Sequence, residues 1–110
     1  MEAAAPSALV RIDQLPQGHG AAHEVGRVSV ALFRDGENVH ALDDMCPHSG
    51  GPLSEGAVED GCVSCPWHGA RFELSSGRSV GEFTCRDVRR HHVRRVDEHQ
   101  IEITLAPRTR

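Results

Sequence analysis

Two five-residue segments echo one another, Cys46-Pro47-His48-Ser49-Gly50 and Cys65-Pro66-Trp67-His68-Gly69, and they constrain the fold more than any other feature of the sequence. Together they read Cys-x-His, sixteen intervening residues, then Cys-x-x-His. Thiolates and imidazoles are good ligands for iron and zinc, so four of them on two tight loops can close a metal site. The fold must then bring both loops to one end of the molecule. Proline after each cysteine fixes a backbone angle and stiffens its loop, while Gly50, Gly51 and Gly69 let the chain bend closely around an inorganic core.

The sequence around these loops reads as short strands. Val28 to Phe33 alternates, with Val28, Val30 and Leu32 on one face; Asp35-Gly36-Glu37-Asn38 turns it back into Val39 to Leu42. Ala57-Val58 and Cys62-Val63-Ser64 flank the turn Glu59-Asp60-Gly61 as a second hairpin. Arg71 to Leu74 alternates and stops at Ser75-Ser76-Gly77. Val88 to Val96 turns at residues 97–100 into Ile101 to Leu105, which ends at Pro107. No segment of ten or more residues shows an apolar period of 3.6, so the expected class is all-β, a sandwich or a barrel. At 110 residues there is room for one domain. Large rings are few (Phe33, Trp67, Phe72, Phe83), and a core poor in rings gains from a metal staple. No apolar run approaches the roughly 18 residues of a membrane span. Residues 1–7 lack the basic and apolar regions of a secretory signal and read as a short frayed tail. The expected compartment is the cytoplasm, where cysteines hold metal more often than they form disulfides.

The paired loops, extended as Cys46-Pro47-His48-Ser49-Gly50-Gly51-Pro52-Leu53 and Cys65-Pro66-Trp67-His68-Gly69-Ala70-Arg71-Phe72, resemble the cluster loops of the Rieske 2Fe-2S family, and specifically its small soluble ferredoxins. The resemblance is strongest over residues 42–77. It implies a basal sandwich carrying a smaller cluster-binding subdomain at residues 43–84. It also implies that Cys46 and Cys65 bind one iron as thiolates and that His48 and His68 bind the other through Nδ1, with Nε2 at an exposed tip. Two ferric ions, two sulfides and two thiolates sum to zero charge, which makes an added electron easier to accept than at an all-thiolate centre. Reduction to −1 should favour keeping the imidazole protons, coupling potential to pH. By the same resemblance the chain is not itself an enzyme. It is an electron carrier, for which a monomer suffices, between an NAD(P)H-dependent flavoprotein ferredoxin reductase and a terminal non-haem iron oxygenase of the aromatic-ring-hydroxylating type.

Departures from the high-potential members matter. Gly51 and Trp67 stand where respiratory Rieske proteins have a disulfide, and Ala70 and Phe72 stand where they have Ser and Tyr hydroxyls aimed at sulfur. Fewer such donors predict the lower part of the Rieske range, nearer about −150 mV than about +300 mV. The segment Gly77 to Cys85 lacks the proline common in the family's third cluster-facing loop. Two other readings compete: the small Rieske-like subunit of an assimilatory nitrite reductase, and a zinc-stabilised interaction module.

Other features have plainer readings. Cys62 and Cys85 read as small buried hydrophobes, and no βαβ pattern supports a redox Cys62-x-x-Cys65 pair. Trp67 reads as a shield over the cluster in preference to a core ring. His40, His91, His92 and His99 read as ordinary strand or turn residues, and the glycines around His19 and His23 prevent a helix from aligning those two. All twelve basic residues are Arg; residues 34–60 carry a net −6 and residues 86–110 a net +3. That balance argues against nucleic acid. The run Arg86 to Arg95 reads as a solvated strand face, with a docking patch as the alternative, and Asp43 and Asp44 as an acidic rim that could steer a basic partner.

Overall fold

A computed structural model describes residues 5–81 and 86–107. Ten strands run in chain order: β1 (Ser7–Arg11), β2 (Gly20–Val25), β3 (Val28–Asp35), β4 (Asn38–Asp43), β5 (Ala57–Glu59), β6 (Cys62–Ser64), β7 (Arg71–Glu73), β8 (Ser79–Val80), β9 (Arg90–Arg95) and β10 (Gln100–Thr104). The helical elements among the described residues are two single 3-10 turns, Ile12–Gln14 and Leu53–Glu55. Among the described residues every strand pairing is antiparallel. A six-stranded sheet has the order β1-β10-β9-β4-β3-β2, and a four-stranded sheet the order β5-β6-β7-β8. The expected all-β sandwich is therefore present. The smaller sheet is an excursion of the chain between β4 and β9.

Alternation explains the two cores. Along β3, Val30 and Leu32 point into one apolar cluster while Ala31 and Phe33 point into another. A strand buried on both faces must sit between two layers. The first layer is made by the six-stranded sheet curling on itself: Val10 of β1 and Val25 of β2, from opposite edges, share a cluster with Ile101 and Ile103 of β10. The second layer seats the smaller sheet on the larger, with Phe33 and Leu42 packed against Leu53, Val63, Phe72 and Leu74. Fully burying each side chain of this size contributes about 1.5–3 kcal/mol, so the second cluster holds the small sheet in place. Cys46 and Cys65 belong to that same cluster. The interface between the layers thus fixes the height at which both cysteines sit.

Three expectations need correction. Ser7 is not tail: it opens β1 opposite Thr104, and the Pro6 carbonyl accepts the Leu105 N–H at 2.9 Å. The backbone order given by those pairings outweighs the polar, mixed sequence. The strand expected from Val88 begins at Arg90, because the Val88 N–H turns instead to the Gly77 carbonyl at 2.9 Å. The sequence reading names no strand over residues 20–25, yet β2 pairs along its whole length with β3. Phe83 and Cys85 lie outside the described residues.

Candidate metal centre

The two echoing segments fold as the same device. In the first, the Cys46 N–H donates to the Gly51 carbonyl at 2.9 Å and the Gly50 N–H to the Cys46 carbonyl at 2.8 Å. In the second, the Cys65 N–H donates to the Ala70 carbonyl at 2.7 Å and the Gly69 N–H to the Cys65 carbonyl at 2.9 Å. Closing each turn requires a left-handed residue at its fifth position, and Gly50 (φ +82°) and Gly69 (φ +79°) supply it without a Cβ penalty. Each turn aims its first side chain inward and its middle outward. Cys46 and Cys65 are buried, whereas His48 and His68 are exposed.

The four side chains converge as two pairs. Cys46 and Cys65 share one apolar cluster, and the Cys46 thiol is among the groups acting on the Cys65 thiol. The His48 and His68 rings meet edge to face with centroids 5.7 Å apart. Gly51 lies between the loops: a Cβ there would stand 2.8 Å from Cys65 Sγ and 2.9 Å from the Trp67 ring. Sulfur, indole and glycine backbone therefore touch at one point. Trp67 is not a core ring: its indole stands beside Gly51 and Cys65 Sγ with 59% of its surface exposed.

Burial is the largest influence on the Cys65 thiol and pushes it up. The Ser49 hydroxyl, the backbone N–H groups of Trp67 and His68, and the Cys46 thiol together outweigh burial and hold it below the ordinary thiol value. Ser49 Oγ is 3.3 Å from Cys65 Sγ. Ala70 and Phe72 are buried and offer no hydroxyl, as expected. The Ser49 hydroxyl, reaching over from the opposite loop, is a partner of the Cys65 sulfur that the sequence reading did not find.

The donor set suits a two-metal group. Among the described residues, no three His, Cys, Asp or Glu side chains are arranged around one metal ion. A 2Fe-2S group of the Rieske type would take its two thiolates from the buried pair and its two imidazoles from the exposed pair. The apolar floor under the thiols and the open imidazole edges match that polarity.

Two carboxylates anchor the first loop. Asp44 Oδ1 accepts the Ser54 N–H at 2.7 Å, and the Asp44 carbonyl accepts the Leu53 N–H at 2.7 Å. Asp43 Oδ1 accepts His91 Nε2–H at 2.7 Å and Arg89 Nη2 at 3.1 Å. The Ala106 N–H donates to His91 Nδ1 at 3.0 Å, which leaves Nε2 to carry the ring proton. His91 is thus a buried clamp, not the ordinary strand residue expected. Asp43 and Asp44, half-buried, spend carboxylate oxygens on bonds within the chain. The basic run is also engaged within the chain: Arg90 donates to the Ser75 carbonyl at 2.7 Å, Arg94 pairs with Glu102 at 3.0 Å, and Arg95 lies 3.8 Å from Glu37. Cys62 is half-buried and unbridged.

Comparison with known proteins agrees with this geometry. The family model "Rieske [2Fe-2S] domain" matches residues 6–97. The anthranilate 1,2-dioxygenase ferredoxin subunit of Burkholderia cepacia is 36% identical over 97 residues, covering 88% of this chain and 89% of its own length. The ferredoxin of carbazole 1,9a-dioxygenase from Nocardioides aromaticivorans IC177 superposes with a TM-score of 0.84 at 28% identity, covering 93% of this chain and 99% of that one. A Mycobacterium tuberculosis protein described as an NADH-dependent nitrite reductase small subunit superposes with a TM-score of 0.78 at 25% identity, covering 92% and 97%. With a matching family model along most of its length, two cysteines on an apolar floor and two histidines at the surface, the chain belongs to the Rieske [2Fe-2S] domain family and carries a cluster of that type.

Proposed function

We propose that this chain is the ferredoxin component of a multicomponent oxygenase, a one-electron carrier with no chemistry of its own on an organic substrate. In this reading Cys46 and Cys65 hold one iron and His48 and His68 the other, and residues 43–84 form the cluster-binding subdomain. When bound, the cluster takes up one electron and gives it back. The rest is done by the chain's own side chains. The apolar floor of Leu53, Val63 and Phe72 keeps water from the thiolates. The imidazoles bring the iron they hold to the surface, where a partner can approach.

The observation that carries this reading is the composition of the tip. The exposed His48 and His68 lie on the loops that also carry two of the large exposed hydrophobics, Met45 (69% exposed) and Trp67 (59%). Exposed apolar side chains on the two loops that carry the ligands suit brief docking to a partner's own apolar face. The terminal oxygenase is the acceptor, as the name of the Burkholderia relative suggests, and the donor is an NAD(P)H-dependent flavoprotein reductase. In this reading the compartment is the cytoplasm.

Stopped-flow mixing tests this. The anaerobically reduced chain, mixed with an oxidised terminal oxygenase, should lose one electron per chain and separate from it afterwards on a sizing column. Persistent, stoichiometric co-purification with a large haem-containing chain, without transfer to an oxygenase, would favour the nitrite reductase subunit instead.

A further inference from the structure

The Ser49 hydroxyl has a geometry that the family's two echoing loops do not require. Ser49 occupies the fourth position of its turn, the position His68 occupies in the second, yet it points back across the gap to the thiol of the other loop. Its Oγ is 3.3 Å from Cys65 Sγ and accepts the Gly51 N–H at 3.4 Å. A hydroxyl that accepts from a backbone N–H has its own proton free to donate. A thiolate bound to iron has no proton, so between these two atoms only Ser49 can be the donor.

We propose that Ser49 is a positioning residue for electron transfer: its O–H donates to the Cys65 thiolate and raises the reduction potential of the cluster that Cys65 holds. The inference rests on Cys65 being a ligand. Reduction adds one negative charge, part of which spreads onto the sulfurs, and a donor stabilises the more negative state more than the neutral one. The electron and its charge stay on the cluster; no proton moves. The hydroxyl replaces, from the first loop, a sulfur donor that Ala70 and Phe72 cannot provide.

The test compares Ser49→Thr, Ser49→Val and Ser49→Ala in the cluster-loaded chain by redox titration followed in the visible and by electron resonance. Thr keeps the hydroxyl, and Val has the shape of Thr without it. Ser49→Thr should titrate with the parent. Ser49→Val and Ser49→Ala should both shift the one-electron equilibrium toward the oxidised form by about tenfold, which is about 59 mV. All three should retain a Rieske spectrum. Potentials that follow side-chain size, with Val beside Thr and apart from Ala, would overturn the proposal, as would an unchanged midpoint in Ser49→Ala. Cys65→Ala separates the two layers of the argument: if it kept the parental spectrum, the ligand assignment itself would fall, whatever Ser49 does.

Discussion

Replacing Asp43 by alanine removes the acceptor of a buried histidine and the counter-charge of a mostly buried arginine in one step. His91 is fully buried, and its Nε2–H would lose the 2.7 Å bond to Asp43 Oδ1 while Nδ1 stays held by Ala106. A buried donor left unsatisfied costs about 1–3 kcal/mol. Arg89 keeps its bond to the Ala106 carbonyl at 3.1 Å but loses its carboxylate. Breaking a fully buried ion pair costs about 3–5 kcal/mol, but with Asp43 26% and Arg89 13% exposed the share here is smaller. We expect about 2–4 kcal/mol in all, which in a domain of this size lowers the melting temperature by roughly 10–25 °C. Asp43→Asn keeps an acceptor oxygen and loses only the charge, so it should cost about half as much. Thermal melts followed by circular dichroism, on proteins matched for visible absorbance, measure both. An alanine variant within about 2 °C of the parent, or an asparagine variant equal to alanine, would refute the clamp.

Acid supplies the sign. Burial raises the Asp43 carboxyl, but hydrogen bonds from His91 and Arg89 and the Arg89 charge outweigh it and hold it below the ordinary value of 3.8. A depressed carboxyl contributes stability that is complete well above 3.8 and is lost as pH falls through the lower folded value. The melting gap between parent and Asp43→Asn should therefore be constant near neutrality and close in acid.

Other outcomes follow from the tip and the loops. Trp67→Ala and Met45→Ser should each raise the KM for the partner, Trp67→Ala by about tenfold, and Met45→Ser should leave the midpoint potential unchanged. Because Asp43 and Asp44 spend carboxylate oxygens on bonds within the chain, the transfer rate should depend only weakly on ionic strength, which a salt series in the stopped flow would read. Gly51→Ala should lose most of its cluster on purification, because its Cβ would fall 2.8 Å from Cys65 Sγ. Gly50→Ala meets nothing within 4 Å and should keep the cluster at a cost of about 1–2 kcal/mol for its positive φ.

The legible parts of this molecule are those whose signal is local. The β3–β4 hairpin announces itself through Val28, Val30 and Leu32 and the Asp35-Gly36 turn, and the metal loops through their Cys, Pro and His spacing. Strand β2 does not, because its small residues answer to a neighbour: a Cβ on Gly20 would stand 2.7 Å from the Phe33 ring. Strand β1 has one buried side chain, Val10, and takes its form from pairing with β10, which lies at the other end of the chain. The clamp joins Asp43 to His91 across 48 residues, and the Ser49 donor joins two loops across 16. No periodicity records such pairings, since only the closed fold makes them neighbours.

Nitrogen coordination is the claim on which the rest stands. Pulsed electron resonance on the reduced protein, grown with 15N-histidine, reads it directly. The account predicts couplings from two imidazole nitrogens, with one coupling lost when either His48 or His68 is replaced. A reduced signal free of histidine nitrogen coupling, or a protein that loads a single zinc ion and stays colourless, would contradict it.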